Sequence, residues 1–129
     1  ETEQIGGCEL HYRISGNGAE IGYWIDERET RQGYATELAA ALTRFCLEVQ
    51  EPSRVVIQAE VENELSLRIP KRLGFQQDGI LRRSSERPEE LNRDMVLYSL
   101  LPEELAASPA ASAKYEAFDD LGRVIGASE

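Results

Sequence analysis

The residues from Arg31 to Thr36 have the types and spacing to hold a phosphate group. They read Arg-Gln-Gly-Tyr-Ala-Thr and stand between a strand-like run and an amphipathic helical pattern. A glycine at a strand-to-helix turn lets the backbone approach a bound group. The first free N–H groups of the helix then point at that group, with the positive end of the helix dipole behind them. An ordinary tight connection uses the same residues, so the loop alone does not separate the two interpretations.

Hydrophobic periodicity places this loop inside a strand–helix–strand unit. Residues 5–14 alternate apolar and polar, residues 15–18 read Ser-Gly-Asn-Gly, and a second strand is predicted over residues 19–26. Gly and Asn supply the positive φ angles of a tight hairpin, so these two strands should pair antiparallel. Residues 54–60 form the strand after the helix, and a connection of this length implies a parallel, right-handed crossover.

Two helices are predicted around these strands. The first covers residues 34–49, and its apolar stripe should face the core. The stripe consists of Tyr34, Leu38, Leu42, Phe45 and Val49. Asn63 is a good N-cap for a second helix over residues 64–72, in which Pro70 should kink or shorten the last turn.

The rest of the chain divides into two short strands and a tail. After the glycine stop at Leu73-Gly74-Phe75, strands are predicted over residues 76–82 and 94–101. Residues 1–102 are therefore assigned to one domain. Residues 103–129 are assigned to a linker and a C-terminal arm. Two apolar runs flank the turn-like segment Asp119-Asp-Leu-Gly122, and a hairpin and an arm docked on the domain are the alternatives for them.

Two motifs in this order resemble the GNAT superfamily of N-acetyltransferases. The first is the strand followed by residues 31–36, and the second is Asn63, Ser66 and then Leu73-Gly74-Phe75 after the next strand. The branch that looks most similar is the RimJ/RimL-type ribosomal-protein N-terminal acetyltransferases, and the resemblance covers roughly residues 3 to 102.

The resemblance implies an α/β (α+β) fold with a mixed, mostly antiparallel sheet, a central parallel strand pair and flanking helices. Residues 5–14 correspond to the third strand of the family. The family's first strand and first two helices, which usually form a wall of the acceptor site, have no counterpart here. An N-terminally incomplete chain is therefore expected, carrying the cofactor half of the domain.

The resemblance also assigns cofactor-binding residues. The backbone of Trp24 and Ile25 is expected to hydrogen-bond the pantetheine arm of acetyl-CoA, and the N–H groups from Gln32 to Thr36 are expected to surround the pyrophosphate. The full cofactor set is Trp24, Ile25, Arg31, Gln32, Gly33, Tyr34, Ala35, Thr36, Asn63 and Arg72. Thr30 departs from the family, in which many members carry Gln or Arg three residues before the first glycine. For Arg72, the dipole at the end of its own helix is an alternative partner.

The sequence does not settle which residues are the general acid and the general base of the reaction. Many relatives place a Tyr seven residues after the Asn, where this chain has Pro70, and Ser66 is the candidate substitute because it lies one helical turn from Asn63. The alternative for Ser66 is a small buried helix serine. Glu20 is the candidate base and Glu60 its rival, and a solvated carboxylate is the alternative for each. His11, the only histidine, alternates outward and is disfavoured as a catalytic group.

The predicted function is transfer of an acetyl group from acetyl-CoA to a primary amine, either a protein N-terminus or a small amine, by direct attack. A non-catalytic acyl-CoA-binding or interaction module is the second hypothesis, motivated by Pro70 and by the missing acceptor half. A generic nucleotide-phosphate binder is the weakest, because neither a P-loop nor a dinucleotide fingerprint is present.

Composition limits the partners. The chain has 129 residues and a net charge of −10, which argues against a nucleic-acid partner, although a local basic patch suits an anionic cofactor. That patch consists of Arg68, Lys71, Arg72, Arg82, Arg83 and Arg87. No apolar run comes close in length to the roughly 20 residues that a membrane-spanning helix needs. A cytoplasmic location is the default, and a homodimer is left open.

The two cysteines do not suggest a metal site or a disulfide. Cys8 lies in an alternating strand and Cys46 beside the apolar stripe of the first helix. Neither has the spacing of a metal-binding pair, so both are predicted to be core thiols and no metal is expected.

Overall fold

The computed structural model describes the backbone of residues 6–14, 17–25, 32–118 and 124–128, and the side chains of residues 17–23, 35–115 and 127–128. The strands are β1 Gly6–Ile14, β2 Gly18–Ile25, β3 Arg54–Glu60, β4 Gln76–Leu81, β5 Met95–Leu100, β6 Glu116–Phe118 and β7 Val124–Ala127. The α-helices are α1 Gln32–Phe45 and α2 Glu64–Arg72, with shorter π or 3-10 turns at Cys46–Gln50, Pro88–Glu90, Pro102–Ala107 and Pro109–Ser112.

The main sheet has five strands in the order β1-β2-β3-β5-β4. The β2–β3 pair is parallel, and the other neighbours are antiparallel. Strands β6 and β7 form a separate antiparallel pair. The predicted fold class, a mixed and mostly antiparallel sheet with a central parallel pair and flanking helices, is therefore confirmed.

The core lies between this sheet and the two helices. Its buried side chains alternate along the central strands, so that one face of the sheet packs on the helices. They include Ala19 and Ile21 of β2, Val55 and Ile57 of β3, Val96, Tyr98 and Leu100 of β5, Ala35 and Ala39 of α1, and Ile69 of α2. Val56 is buried on the opposite face of β3.

Helix α1 packs through a face that, among the side chains described, overlaps the predicted stripe only at Leu42, which packs against the core. Leu38, Leu42 and Phe45 of the predicted stripe are only half-buried, whereas Ala35 and Ala39 are buried. Small side chains let the helix backbone approach the sheet closely, which the larger residues of the stripe would prevent. The larger residues pack at the margin instead, and the Phe45 ring meets Tyr115 edge-on at 5.5 Å between ring centroids.

The helix boundaries also differ slightly from prediction. Helix α1 begins at Gln32 rather than at residue 34, and its end continues as the π turn Cys46–Gln50. Helix α2 runs to Arg72 with Pro70 inside it, so the proline does not shorten the helix. Proline at this position removes one backbone donor, and the acceptor it leaves is satisfied from another element, described below.

Residues 102–112, predicted to be a linker, form two 3-10 helices that contact the helices of the core. Ser108 and Ala110 are buried, and the Ser108 hydroxyl donates to the Leu73 carbonyl at 2.5 Å. The Arg44 guanidinium donates to the Ala113 carbonyl at 2.6 Å. The segment is thus held against the ends of α1 and α2. Among the helices described, none is long and apolar enough to cross a membrane.

Candidate acyl-CoA site

Strands β2 and β3 separate partway along their length. Their pairing joins Gly18–Glu20 to Arg54–Val56, whereas β2 continues to Ile25 and β3 to Glu60. Beyond the paired part, no register joins the two strands in the described chain. We call this gap the β2–β3 opening. Backbone N–H and C=O groups on its two edges need partners, so it suits an extended ligand with amide groups that adds like a strand.

The N-terminus of α1 follows the open end of β2. The backbone of Gln32, Gly33 and Tyr34 forms the first turn, and this turn carries no acidic residue that would repel an anion. Ala35 is buried and Thr36 half-buried. The side chains of Trp24, Ile25, Gln32 and Tyr34, and all of Arg31, lie outside the described residues. Six residues, 26–31, separate the end of β2 from the start of α1, so the predicted strand backbone and the predicted helix start are neighbours along the chain.

Helix α2 begins beside the open end of β3, and Asn63 caps it. The Asn63 side-chain oxygen accepts a hydrogen bond from the Ser66 N–H at 3.1 Å, as predicted for an N-cap. This bond uses only the carbonyl oxygen, so the amide nitrogen keeps donor hydrogens for a second partner. Arg72 lies in the last turn of α2, about 13 Å along the axis from Asn63. It therefore does not join Asn63 at the β2–β3 opening.

Ser66 is held by two side chains through its backbone. Its N–H donates to Asn63, and its carbonyl accepts from the Tyr23 hydroxyl at 2.5 Å. The Ser66 residue is half-buried on α2. Tyr23 belongs to β2, so this contact joins the two sides of the β2–β3 opening on the helix face of the sheet.

Glu20 lies where β2 and β3 separate. Its Cα is paired with that of Val56 on β3 and with that of His11 on β1, and the residue is half-buried. Alternation along β2 puts Ile21 and Tyr23 on the helix face and Glu20 on the other face. The structure therefore places the candidate base Glu20 and the candidate acid Ser66 on opposite faces of the sheet.

Glu60, the rival base, lies at the end of β3 in an ionic cluster. Its side chain is only 11% exposed, and its carboxylate is 3.8 Å from the Arg87 guanidinium. A hydrogen bond with Glu90 and burial raise the pKa of Glu60 above its ordinary value of 4.5, while Arg87 and Arg93 oppose the shift. By strand spacing, Glu60 is about 13 Å further along β3 than Val56, which pairs with Glu20. It is thus separate from the place where the strands diverge.

A cavity of about 560 Å³ adjoins the start of α1. Thr36 and Glu37 border it from α1, Leu73 from the end of α2, and Ser112 and Lys114 from the C-terminal segment. Thr36 is the predicted site residue that reaches it. The cavity extends from the helix start toward the segment that packs on it.

Residues 1–76 match the family described as acetyltransferase (GNAT) domain. The chain belongs to this family. The resemblance predicted from residues 31–36, Asn63 and Ser66 is thereby confirmed.

Two relatives of this GNAT chain carry names of ribosomal acetyltransferases. It is 38% identical over 86 residues to YdaF of Bacillus subtilis, provisionally named a ribosomal N-acetyltransferase, across 67% of this chain and 46% of YdaF. It is 36% identical over 66 residues to the ribosomal-protein-serine acetyltransferase of Escherichia coli, across 51% of this chain and 37% of that protein. The chain therefore spans less than half the length of either relative.

A solved structure of a GNAT relative contains a form of CoA. RimJ of Mycobacterium smegmatis, in complex with CoA-disulfide, is 29% identical to this chain with a TM-score of 0.68. The match covers 84% of this chain and 53% of RimJ. The described fold is thus one that binds CoA in a related protein.

Sequence reasoning missed Tyr23. The signal was present, because Pro70 stands four residues after Ser66 and cannot supply the helical N–H that the Ser66 carbonyl needs. Cys46 is a buried free thiol whose pKa burial raises to about 11, which confirms its prediction as a core residue. The side chain of Cys8 lies outside the described residues. Within the described part of the chain, no three His, Cys, Asp or Glu side chains group as metal ligands.

Proposed function

We propose that this GNAT protein is an N-acetyltransferase that uses acetyl-CoA and a primary amine. The observation that carries the proposal is the β2–β3 opening, whose β2 edge is followed after six residues by the first turn of α1. A strand edge for amide groups beside a helix N-terminus for phosphates matches the order of groups along acetyl-CoA. The related RimJ structure with CoA-disulfide supports the same choice of ligand.

The pantetheine arm would lie along the free edge of β2 and hydrogen-bond the backbone of Trp24 and Ile25. The pyrophosphate would then meet the N–H groups of Gln32 to Thr36, with charge from Arg31. Asn63 would donate its amide hydrogens to the pantetheine region while its oxygen continues to cap α2. Arg72 would reach the cofactor only at its phosphate-bearing end, because it lies at the far end of α2.

The chemistry requires a neutral amine and a protonated leaving thiolate. The amine nitrogen attacks the thioester carbonyl and the C–N bond forms. When the tetrahedral intermediate collapses, the C–S bond breaks. Glu20 accepts the proton that the amine loses, and the Ser66 hydroxyl gives a proton to the thiolate of CoA. Both groups then recover their starting protonation from solvent, and the products are an acetylated amine and free CoA.

Glu20 and Ser66 lie on opposite faces of the sheet, which suits their separate roles as base and acid. A thioester placed in the β2–β3 opening has one side toward each face of the sheet. The amine would approach on the Glu20 side, and the thiolate would leave on the Ser66 side. A covalent acyl-enzyme is unnecessary in this scheme, because the amine attacks acetyl-CoA directly.

The acceptor class follows from charge and from the named relatives. A net charge of −10 attracts cationic amines and disfavours nucleic acid. The Escherichia coli relative is named for a ribosomal-protein serine, so a protein N-terminus is the first acceptor to test and a small polyamine the second. Because acetyl-CoA is a metabolite of the cytoplasm, we expect the protein to work there.

An acetyl-transfer assay tests the proposal. The full-length protein is mixed with acetyl-CoA and, separately, with a peptide that begins with serine, a peptide that begins with alanine, and spermidine. Release of the CoA thiol is followed with a chromogenic disulfide, and the acetylated product is identified by mass. We expect amine-dependent thiol release with at least one acceptor. Binding of acetyl-CoA without amine-dependent release would reject the enzyme.

A non-catalytic acyl-CoA-binding module is the second candidate. It is favoured by Pro70, which stands where many relatives carry a proton-donating Tyr. It predicts acetyl-CoA binding with no acetylated product across the same panel.

A further inference from the structure

Pro70 leaves one carbonyl of α2 without its helical donor. In an α-helix the C=O of each residue accepts from the N–H four positions later, and proline has no N–H. The carbonyl affected here is that of Ser66, since Pro70 lies inside the helix that runs to Arg72. A partly buried carbonyl that stays unpaired is costly, so another donor is required.

Tyr23 supplies that donor from another element. Its hydroxyl, on β2, is 2.5 Å from the Ser66 carbonyl oxygen, and its ring packs against the core. The N–H of the same residue is fixed by the Asn63 cap at 3.1 Å. Both backbone polar groups of Ser66 are therefore set by side chains, one from the cap and one from the far side of the β2–β3 opening.

We propose that Tyr23 is a positioning residue for acetyl transfer. Its hydroxyl donates a hydrogen bond to the Ser66 carbonyl, which Pro70 leaves without a helical donor, and so fixes Ser66 relative to β2. The inference rests on the proposed function, in which the thioester lies along β2 and Ser66 protonates the leaving thiolate. Without this bond, α2 would keep its helical form. Its first turns would lose their fixed distance from the strand that holds the cofactor.

This arrangement predicts a change in turnover rather than in cofactor affinity. Tyr23→Phe keeps the ring and its packing and removes only the hydroxyl. A displacement of about 1 Å of a reacting group lowers rate about ten- to a hundredfold, so we expect kcat to fall by that factor. The KM for acetyl-CoA should stay within about twofold, because the backbone of β2 and the start of α1 are untouched.

Tyr98→Phe is the matched control. Tyr98 is a buried tyrosine of β5 in the same core, and its hydroxyl lies 3.5 Å from the Gln77 side chain rather than against α2. Loss of this hydroxyl should leave kcat within about twofold, since its bond to Gln77 is long and does not involve α2 or the β2–β3 opening. Comparison of Tyr23→Phe with Tyr98→Phe separates the general effect of losing a core tyrosine hydroxyl from the effect of losing the hydroxyl that contacts Ser66.

Pro70→Ala separates the contact between α2 and β2 from the mere pairing of the Ser66 carbonyl. Alanine restores an N–H four residues after Ser66, so the helix itself can then satisfy the Ser66 carbonyl. In the Pro70→Ala background, Tyr23→Phe should therefore cost little Tm, but kcat should still fall about ten- to a hundredfold, because the helical bond does not connect α2 to β2. In the Ser66→Ala background Tyr23→Phe should instead lower kcat less than about twofold, because the group it positions has been removed.

The experiment measures kcat and KM for the parent, the single variants and these double variants, with the acceptor that the parent acetylates best in the panel above. Tyr23→Phe at parental kcat, or a kcat loss that Pro70→Ala rescues in full, overturns the proposal. If Pro70→Ala does not fold, the Ser66→Ala background decides, and fully additive losses overturn it. A parent that transfers no acetyl group overturns the proposed function as well, which distinguishes that failure from a failure of the Tyr23 role alone.

Discussion

At the scale of single residues, the candidate proton-transfer groups differ in the contacts that hold them and in where they lie along the strands. Ser66 is fixed through both its N–H and its carbonyl, by Asn63 and Tyr23. Glu20 lies at the last paired position of β2 with β3, so its backbone is anchored by the sheet. Glu60 is bound instead in a cluster with Arg87 and Glu90. Glu60 is also held by its pairing with Met95 of β5, but it lies about 13 Å along β3 from the point where β2 and β3 separate, which disfavours it as the base.

Ser66→Ala should lower turnover and leave cofactor affinity nearly unchanged. The variant keeps the backbone N–H and carbonyl that hold α2 and removes only the hydroxyl. General-acid catalysis contributes on the order of 10² or more, so kcat should fall by about that factor. The dissociation constant for acetyl-CoA should stay within a few fold, as measured by calorimetry. A parental kcat would remove Ser66 from the mechanism.

Glu60→Gln should change the pH dependence of stability. The folded-state pKa of Glu60 is raised above its ordinary 4.5, so its stabilising contribution is full below that value and is lost as pH rises through the folded pKa. The same hydrogen bond lowers the pKa of Glu90, and a glutamine amide can still donate to Glu90, so the variant retains the Glu90 contribution and loses none by titration at position 60. The Tm of the variant minus that of the parent should therefore increase from pH 4 to pH 8 in thermal denaturation. A difference that is constant or decreases over this range would contradict the assigned shift.

At the scale of elements, α2 combines a cap, a proline and a charged end. Asn63 caps the start of the helix. Pro70 removes one backbone hydrogen bond without ending the helix, and Lys71 and Arg72 complement the dipole at its end. The Phe75 N–H donates to the Pro70 carbonyl and the Leu73 N–H to that of Ile69, so the helix closes with its last acceptors used. A short helix of nine residues is thus fixed at both ends.

Two substitutions separate the cap from the cofactor role of Asn63. Asn63→Ala should cost about 1 kcal/mol of stability, because the Ser66 N–H loses its acceptor. Asn63→Ser retains a capping oxygen and should keep Tm close to that of the parent. If the Asn63 amide also donates to the cofactor, both variants should weaken acetyl-CoA binding about tenfold. Parental affinity in Asn63→Ser would limit Asn63 to the cap.

Local signals predicted the elements well and their packing less well. The bounds of β3 and α2 and the pairing of β1 with β2 follow from alternation, the Asn63 cap and the Gly-Asn-Gly turn. The β2–β3 opening could not be located from the residues alone, because the point where two parallel strands separate depends on everything packed on them. The predicted face of α1 differs from the buried one for a related reason. Alanines are weak signals of burial, yet they allow the closest approach of a helix to a sheet.

At the scale of the whole molecule, the C-terminal segment is part of the described fold. Ser108 lies between the two 3-10 helices, donates to Leu73 at the end of α2 and accepts from the Ala110 N–H. The Tyr115 hydroxyl bonds to Glu48, and Arg44 lies 6.0 Å from the Tyr115 ring. These contacts connect the segment to both helices, one of which begins at the proposed pyrophosphate site.

Ser108→Ala should destabilise the fold. It leaves the buried Leu73 carbonyl and the Ala110 N–H without this partner, at a cost of about 1–3 kcal/mol. Ser112→Ala is the matched control, because the Ser112 hydroxyl is exposed and bonds only locally to the Pro109 carbonyl. Its effect should stay within about 0.5 kcal/mol. Equal Tm values for the two variants in thermal denaturation would show that the segment does not stabilise the fold.

Calorimetric titration of the full-length protein with acetyl-CoA tests the central claim most directly. We expect saturable binding, and we expect Gly33→Val to weaken it by about two to four powers of ten, because two N–H donors worth roughly 1.5–3 kcal/mol each would be displaced. Gly79→Val is the control, since a Cβ added at Gly79 meets no atom within 4 Å. Both variants should keep the circular dichroism of the parent. Absence of binding at millimolar acetyl-CoA, or parental affinity in a folded Gly33→Val, would contradict the assignment of this site to acetyl-CoA.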